Sequence, residues 1–327
     1  MNICLLDSHQ VLPAAWDAFI EESREGNIYA TYDYLQHCER SWKAAILKDE
    51  QGAWQAVMPI QVARRWGMEY IYQDPFAREL GIFTKEELTR AQYQALLDAS
   101  LGSYRYVPRY CFNVDNGYLL QKVSFRYVTG LKPIATYHLD LRLPYDRIWQ
   151  NYRRDRRYSI RRAQRYDQHI GEEQQVEDAL RIFSQSTYHR IPGLVPYQVP
   201  LMEKLYKRLL HMGKLQAYYV TYKDEKIAAA LMVRYRQKLI YLFGANTEQA
   251  FRLRSSTLLL DHIIRQHAAR DLTFDFEGGD VPGLGDFYSS FGAHPRIIYA
   301  YSRVPRLLEG LIGLKRVAVK NLTYLYR

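Results

Sequence analysis

One order of segments runs through this chain twice, and it leaves few architectures open. Residues 42–72, WKAAILKDEQGAWQAVMPIQVARRWGMEYIY, read as an apolar strand, a Lys-Asp-Glu turn, a second strand, a basic turn and a third strand. Residues 215–243, LQAYYVTYKDEKIAAALMVRYRQKLIYLF, repeat that order, with Lys48-Asp49-Glu50 answered by Lys223-Asp224-Glu225. A helical segment precedes each meander (YATYDYLQHCERS and PLMEKLYKRLLHM), and another follows each (TKEELTRAQYQALLDASL and SSTLLLDHIIRQHAAR), with apolar residues near helical spacing. A strand then closes each half, YRYVPRYCFNV in the first and LTFDFEG in the second. Such a unit is α+β rather than a regular βαβ alternation, with a mostly antiparallel, mixed sheet flanked by helices. Its repeat distance far exceeds the roughly 20 to 50 residues of solenoids. Two copies of one domain in tandem are therefore expected, a natural division for 327 residues. The boundary falls in LKPIATYHLDLRLPYDRIWQ, giving domains at 1–134 and 135–327. Pro133 follows a turn, a strand from Thr136 to Leu141 restarts the pattern, and Tyr145 to Tyr166 reads as one long helix.

An apolar fraction of 48% with 14% aromatics can fill two cores, so disorder is excluded as the dominant state. The opening residues MNICLLDSHQ lack the basic start and apolar run of a signal peptide, and no uninterrupted apolar stretch reaches about 18 residues. A cytoplasmic protein is expected. Cys4, Cys38 and Cys111 are odd in number and scattered, which fits core thiols rather than disulfides or a zinc site. The nine histidines show no metal spacing (His262 and His267 diverge around their helix), and neither a G-x-S-x-G elbow nor a P-loop occurs. No metal cofactor is expected.

The net charge of +10 is concentrated in RRDRRYSIRRAQR, residues 153–165, where seven Arg face one Asp. The block is either a solvated helix face or a surface for a polyanionic neighbour such as a phosphate-bearing cofactor, a nucleic acid, a nucleotide-linked substrate or an anionic membrane. Arg157 and Arg161, four apart, share a helix face and form the best pair for a phosphate. The two halves also differ after their third strands, and function is expected where copies diverge. The first continues QDPFARELGIF, placing Asp74 where it would repel an anion; the second continues GANTEQAFRLRSSTLLL. There Gly244 and Ala245 put small residues at the strand exit, Arg252 and Arg254 supply charge, and Ser255 or Ser256 can cap the next helix, whose start favours a pyrophosphate. The cofactor is assigned to the second half.

Taken in order, YHLDL, RRYSIRRAQR, KLIYLFGA, RLRSSTLLLDHIIRQHA, FDFEGG and FYSSFGAHP, with AAWDAFIEES, MPIQVARRWG and LGIF before them, make the chain resemble the Fem-type (FemABX-like) branch of the GNAT acyltransferase superfamily. Related cellulose-biosynthesis-type acetyltransferases share the likeness, which covers nearly the full length. The resemblance implies two tandem GNAT-like domains, the first non-catalytic with an acceptor-binding or structural role, the second donor-binding and catalytic. It implies that acetyl-CoA or another acyl-CoA meets the loop that corresponds to Arg252 through Thr257. Aminoacyl-tRNA is the alternative donor, because Ser and Thr stand where the usual pyrophosphate loop has glycines, a loss that Fem-type members share. The acceptor implied by analogy is a small-molecule or lipid-linked precursor of the cell envelope or of a polysaccharide; no DNA partner is expected. A second departure is Tyr288, which follows Phe287 where the family reads Phe-Lys.

In FDFEGG, strand alternation would place Phe274 and Phe276 on a core face and Asp275 and Glu277 on the other. In a GNAT-like domain that second face lines the splayed acceptor cleft, so Glu277, then Asp275, are candidate bases for an attacking amine, and Tyr288 a proton donor to the leaving thiolate. His189, in the Pro-rich STYHRIPGLVPYQVP, is a candidate acceptor contact. The tail RVPRLLEGLIGLKRVAVKNLTYLYR is either a basic amphipathic helix for the inner face of a membrane or a domain-packing helix. The rival function is a non-catalytic binder of nucleic acid or anionic membrane that kept the fold.

Overall fold

The meanders form because each runs apolar, β-branched and aromatic residues into turns that can reverse the chain. In the computed structural model, which describes residues 2–38, 41–65, 67–121, 123–125, 130–187, 198–279 and 283–305, the strands are as follows. They are β1 (Asn2–Asp7), β2 (Ser41–Lys48), β3 (Trp54–Arg65), β4 (Met68–Ile71), β5 (Phe83–Thr84), β6 (Val107–Cys111) and β7 (Gly130–Asp140). They continue with β8 (Gln168–Glu173), β9 (Leu215–Tyr222), β10 (Glu225–Tyr235), β11 (Lys238–Asn246), β12 (Thr273–Asp275) and β13 (His294–Arg303). The chain divides into two compact units: residues 1–36, 40–133 and 298–327, and residues 37–39 and 134–297.

In the first unit β1–β2–β3–β4 are antiparallel neighbours and β5 pairs with β3. Its core gathers Trp16, Tyr34, Trp42, Phe83 and Tyr93, with the two indoles 4.9 Å apart. In the second unit the order is β7–β12–β11–β10–β9–β8, antiparallel throughout except between β11 and β12. The helix Ser255–His267 lays Leu259, Leu260, Ile263 and Ile264 on one face of that sheet, beside Leu139, Leu239 and Phe274. Each such side chain contributes about 1.5–3 kcal/mol on burial.

The two Lys-Asp-Glu turns, alike in sequence, fold differently. Lys223 and Asp224 both take positive φ (50° and 63°) in a tight two-residue hairpin. The first turn is longer, held by Asp49 accepting from the amides of Gln51 and Ala53, with Gly52 at φ 86°.

The predicted helix Tyr145–Tyr166 is instead two, Tyr145–Asn151 and Arg154–Ala163. Tyr152 leaves helical geometry at ψ 140°, buries its ring against Phe291, and lets the Arg153 amide donate to the Ser290 carbonyl. Among the described residues no helix is long and apolar enough to cross a membrane, and no cluster of potential ligands could hold a metal. His189 and the tail beyond residue 305 lie outside the described residues.

Candidate functional site

β11 and β12 run side by side only over Lys238–Ile240 and Thr273–Asp275. β11 then continues to Asn246, shifting register against β10 between Leu231 and Met232, which leaves Leu242 as the extra residue of a bulge. The other chain stays with β7, the Phe276 amide donating to the Tyr137 carbonyl (2.9 Å). The two strands therefore part beyond Ile240 and Asp275.

The acidic strand differs from its sequence-based expectation. β12 ends at Asp275, and Glu277 and Gly278 adopt left-handed conformations (φ 53° and 52°). Strand alternation does not reach Glu277, and Phe274, Asp275, Phe276 and Glu277 are all buried. A left-handed non-glycine residue costs on the order of 1–3 kcal/mol, the kind of strain that concentrates at functional sites. Gly279 is required by contact: a Cβ there would overlap the Ala135 carbonyl oxygen and lie 2.7 Å from the ring of Tyr137. Tyr288 is buried too, its ring stacked on Phe276 at 4.8 Å, and a Cβ on Gly278 would lie 3.6 Å from its hydroxyl.

Asp275 is the most elaborately held of these groups. Its Oδ1 accepts from Thr136 Oγ1 and from the Glu277 amide, both at 3.0 Å. Its Oδ2 lies 3.2 Å from Nε2 of His138, the residue directly opposite it on β7; this is ion-pair distance, off the hydrogen-bond direction. Burial alone would raise the carboxyl, but the charge and contact of His138, with Lys238 and the Glu277 amide, outweigh it and hold Asp275 below the ordinary carboxylate range. His138 was missed in the sequence. Only the alternation Thr136–His138 in TYHLD, opposite Leu139, could have pointed to it.

The predicted phosphate loop is also rearranged. Gly244 and Ala245 lie inside β11, paired with Ala230 and Ala229, rather than at its exit. Gly244 is small because the Tyr241 hydroxyl occupies the space a Cβ would need. Neither Ser255 nor Ser256 caps the long helix. Thr247 does the capping, accepting from the Ala250 amide at the start of an intervening helix, Glu248–Leu253. Arg252 sits on that short helix, exposed beside Glu248. Arg254 holds the N-cap position of Ser255–His267 at φ 61° without a side-chain cap. Ser255 is fully buried with its hydroxyl on Gln168 (2.6 Å), whereas Ser256 is half-buried.

What gathers at this helix start is arginine. Arg156 is buried, donating from Nη1 to Thr257 Oγ1 (2.6 Å) and from Nε to Ser290 Oγ (2.7 Å), with Phe287 and Phe291 at 4.3 and 4.7 Å from its guanidinium. Burial pulls it down to about 10. Among the described residues no carboxylate lies at ion-pair distance; Asp155 and Asp286 are taken by Arg153. Arg254 donates to Ser159 (3.0 Å) on the Arg156 helix. By contrast, Arg157 donates to the Gln150 carbonyl (3.1 Å) and Arg161 lies over Trp149 at 5.8 Å, so the predicted phosphate pair turns toward the helix Tyr145–Asn151. The signal was present: Arg156 is four residues before Ile160 and seven before Ala163, on the buried face.

The acetyltransferase (GNAT) domain family matches residues 150–286. The fold matches FemX (15% identity, 95% of this chain and 100% of that one, TM-score 0.66). It also matches L-PGS of Bacillus licheniformis (14%, 93% and 96%, 0.54) and a tandem GNAT protein of the clavulanic acid biosynthesis pathway solved without AcCoA (9%, 93% and 99%, 0.54). No curated protein sequence matches the chain significantly. Residues 150–286 are a GNAT acetyltransferase domain, in a chain with the fold of FemX and of tandem GNAT proteins.

Proposed function

We propose that the second unit is an N-acyltransferase that takes its acyl group from acyl-CoA and delivers it to an amine of a cell-envelope or polysaccharide precursor. The observation that carries this reading is the placement of Arg156 and Arg254 at the positive end of a 13-residue helix. Two cations there oppose the helix dipole, and one is buried with no carboxylate at ion-pair distance among the described residues, an arrangement that an anionic ligand stabilises. Arg156, Arg254, Ser256 and Thr257 would hold the pyrophosphate, with Ser255 as internal support and Arg252 at the rim. Gly244 and Ala245 would flank the acyl arm along β11. When bound, acyl-CoA supplies an activated thioester. Asp275, Glu277 and Tyr288, where β11 and β12 part, supply the polar surroundings of the reacting amine.

The first unit would serve the acceptor or stiffen the fold. Arg157, Arg161 and His189 remain proposed acceptor contacts, and aminoacyl-tRNA the alternative donor. The likeness of fold to FemX and L-PGS supports an envelope or lipid-linked acceptor, handled in the cytoplasm or at the inner face of the membrane. The test is thermal-shift screening against acetyl-CoA, longer acyl-CoAs and CoA. A ligand at 100 times its dissociation constant should add about 2.7 kcal/mol of stability. Silence across that panel, with steeply salt-dependent binding of bulk RNA or anionic vesicles, would favour a polyanion binder acting through the exposed Arg161, Arg162 and Arg165.

A further inference from the structure

The end of β12 holds more than the acidic residues that its sequence advertises. From the alignment of Asp275 and His138 across β12 and β7, where β11 departs, we propose that His138 is the proton acceptor for the attacking amine and Asp275 its positioning residue. The inference rests on the acyltransfer reading above and names a residue that composition and motif leave unmarked.

Three observations carry it. Asp275 is fixed by two donors on Oδ1, which leaves Oδ2 at 3.2 Å from the imidazole Nε2. It is held charged by its surroundings, which makes it a poor base but a good partner for a developing imidazolium. The imidazole is the reachable member of the pair, its side chain 15% exposed against 5% for Asp275. Nε2, which faces Asp275, is buried, so that exposure belongs to the rest of the side chain. Lys238 on β11 also acts on the pair, its field favouring the carboxylate.

In the step so assigned, the amine nitrogen forms a bond to the acyl carbon of the thioester and the carbon–sulfur bond breaks. The electron pair leaves on sulfur, and the amine's surplus proton passes to Nδ1 of His138. Nε2–H then faces Asp275, which stabilises the imidazolium until the proton moves on to the thiolate or to water.

The test uses the full chain with acetyl-CoA as donor and glucosamine and free lysine as amines, with thiol release as the rate. His138→Ala is expected to slow release about 100-fold, in line with a general base, and added imidazole to restore part of it. Acetyl-CoA should stabilise the variant as it does the wild type. Independently of activity, diethyl pyrocarbonate should modify His138 in the protein without donor, as read by mass spectrometry. A His138→Ala protein that binds acetyl-CoA yet keeps its rate, or one that imidazole fails to rescue, overturns the assignment alone; so does a His138 that stays unmodified while surface histidines react. A wild type that acetyl-CoA does not stabilise overturns the acyltransfer reading and the assignment with it.

Discussion

Asp275→Ala is expected to cost about 1–3 kcal/mol of folding stability for each buried donor it leaves unsatisfied. The substitution strips the Thr136 hydroxyl and the Glu277 amide of their shared acceptor and leaves His138 beside an apolar gap. Asp275→Asn should cost less, because an amide oxygen can replace Oδ1 toward both donors while only the charge is lost. The pH dependence separates charge from geometry. Asp275 titrates below its ordinary value in the folded protein, so its charge contributes stability that is fully present above the unfolded carboxyl pKa, about 3.9. That contribution is lost as pH falls toward the depressed folded value. The wild-type advantage over Asp275→Asn in urea unfolding should therefore shrink as pH falls below about 4. An advantage that persists undiminished at pH 3 would mean that the carboxylate's charge plays no part.

Arg156→Met is expected to do the opposite: to leave the fold as stable as before or more so, and to weaken binding of acetyl-CoA. The guanidinium is buried against Phe287 and Phe291 and, among the described residues, has two hydroxyl partners; burial lowers its pKa, the mark of an environment that disfavours the charge. A methionine of similar length keeps the packing and removes that cost, as replacing buried ions by apolar side chains often does. A hydrogen bond from a charged group is worth about 1.5–3 kcal/mol, so donor affinity should fall about 10- to 100-fold. Chemical denaturation and calorimetric titration of the same preparation read both effects. Lost stability with unchanged affinity would make Arg156 an ordinary structural residue.

The parts of this fold that follow local rules were legible in the sequence. Both meanders, the helices after them and the closing strands come from periodicity and turn chemistry, which act over a few residues. The parts that depend on long-range register were not. His138 acquires its partner only because β7 lies antiparallel to β12, and nothing in YHLDL names residue 275 as its neighbour. Ser255 looked like a cap because it opens an apolar helix, but Thr247 starts a short helix first and Gln168 claims the serine hydroxyl. By alternation Glu277 continues a strand, and a left-handed turn removes it from that alternation. Among seven arginines in one block, the buried one is identified by Ile160 and Ala163 on its own face, a clue subordinated to the spacing of Arg157 and Arg161.

The central claim is that the start of the helix Ser255–His267, with Arg156 and Arg254, recognises the phosphates of an acyl carrier. Calorimetric titration with CoA and with pantetheine, which has the same thiol arm and no phosphate, tests it most directly. The account predicts measurable CoA affinity that drops at least 100-fold for pantetheine, corresponding to about 2.7 kcal/mol, with most of that gap gone in Arg156→Met. Equal affinity for the two ligands, or a gap that Arg156→Met leaves intact, would contradict it.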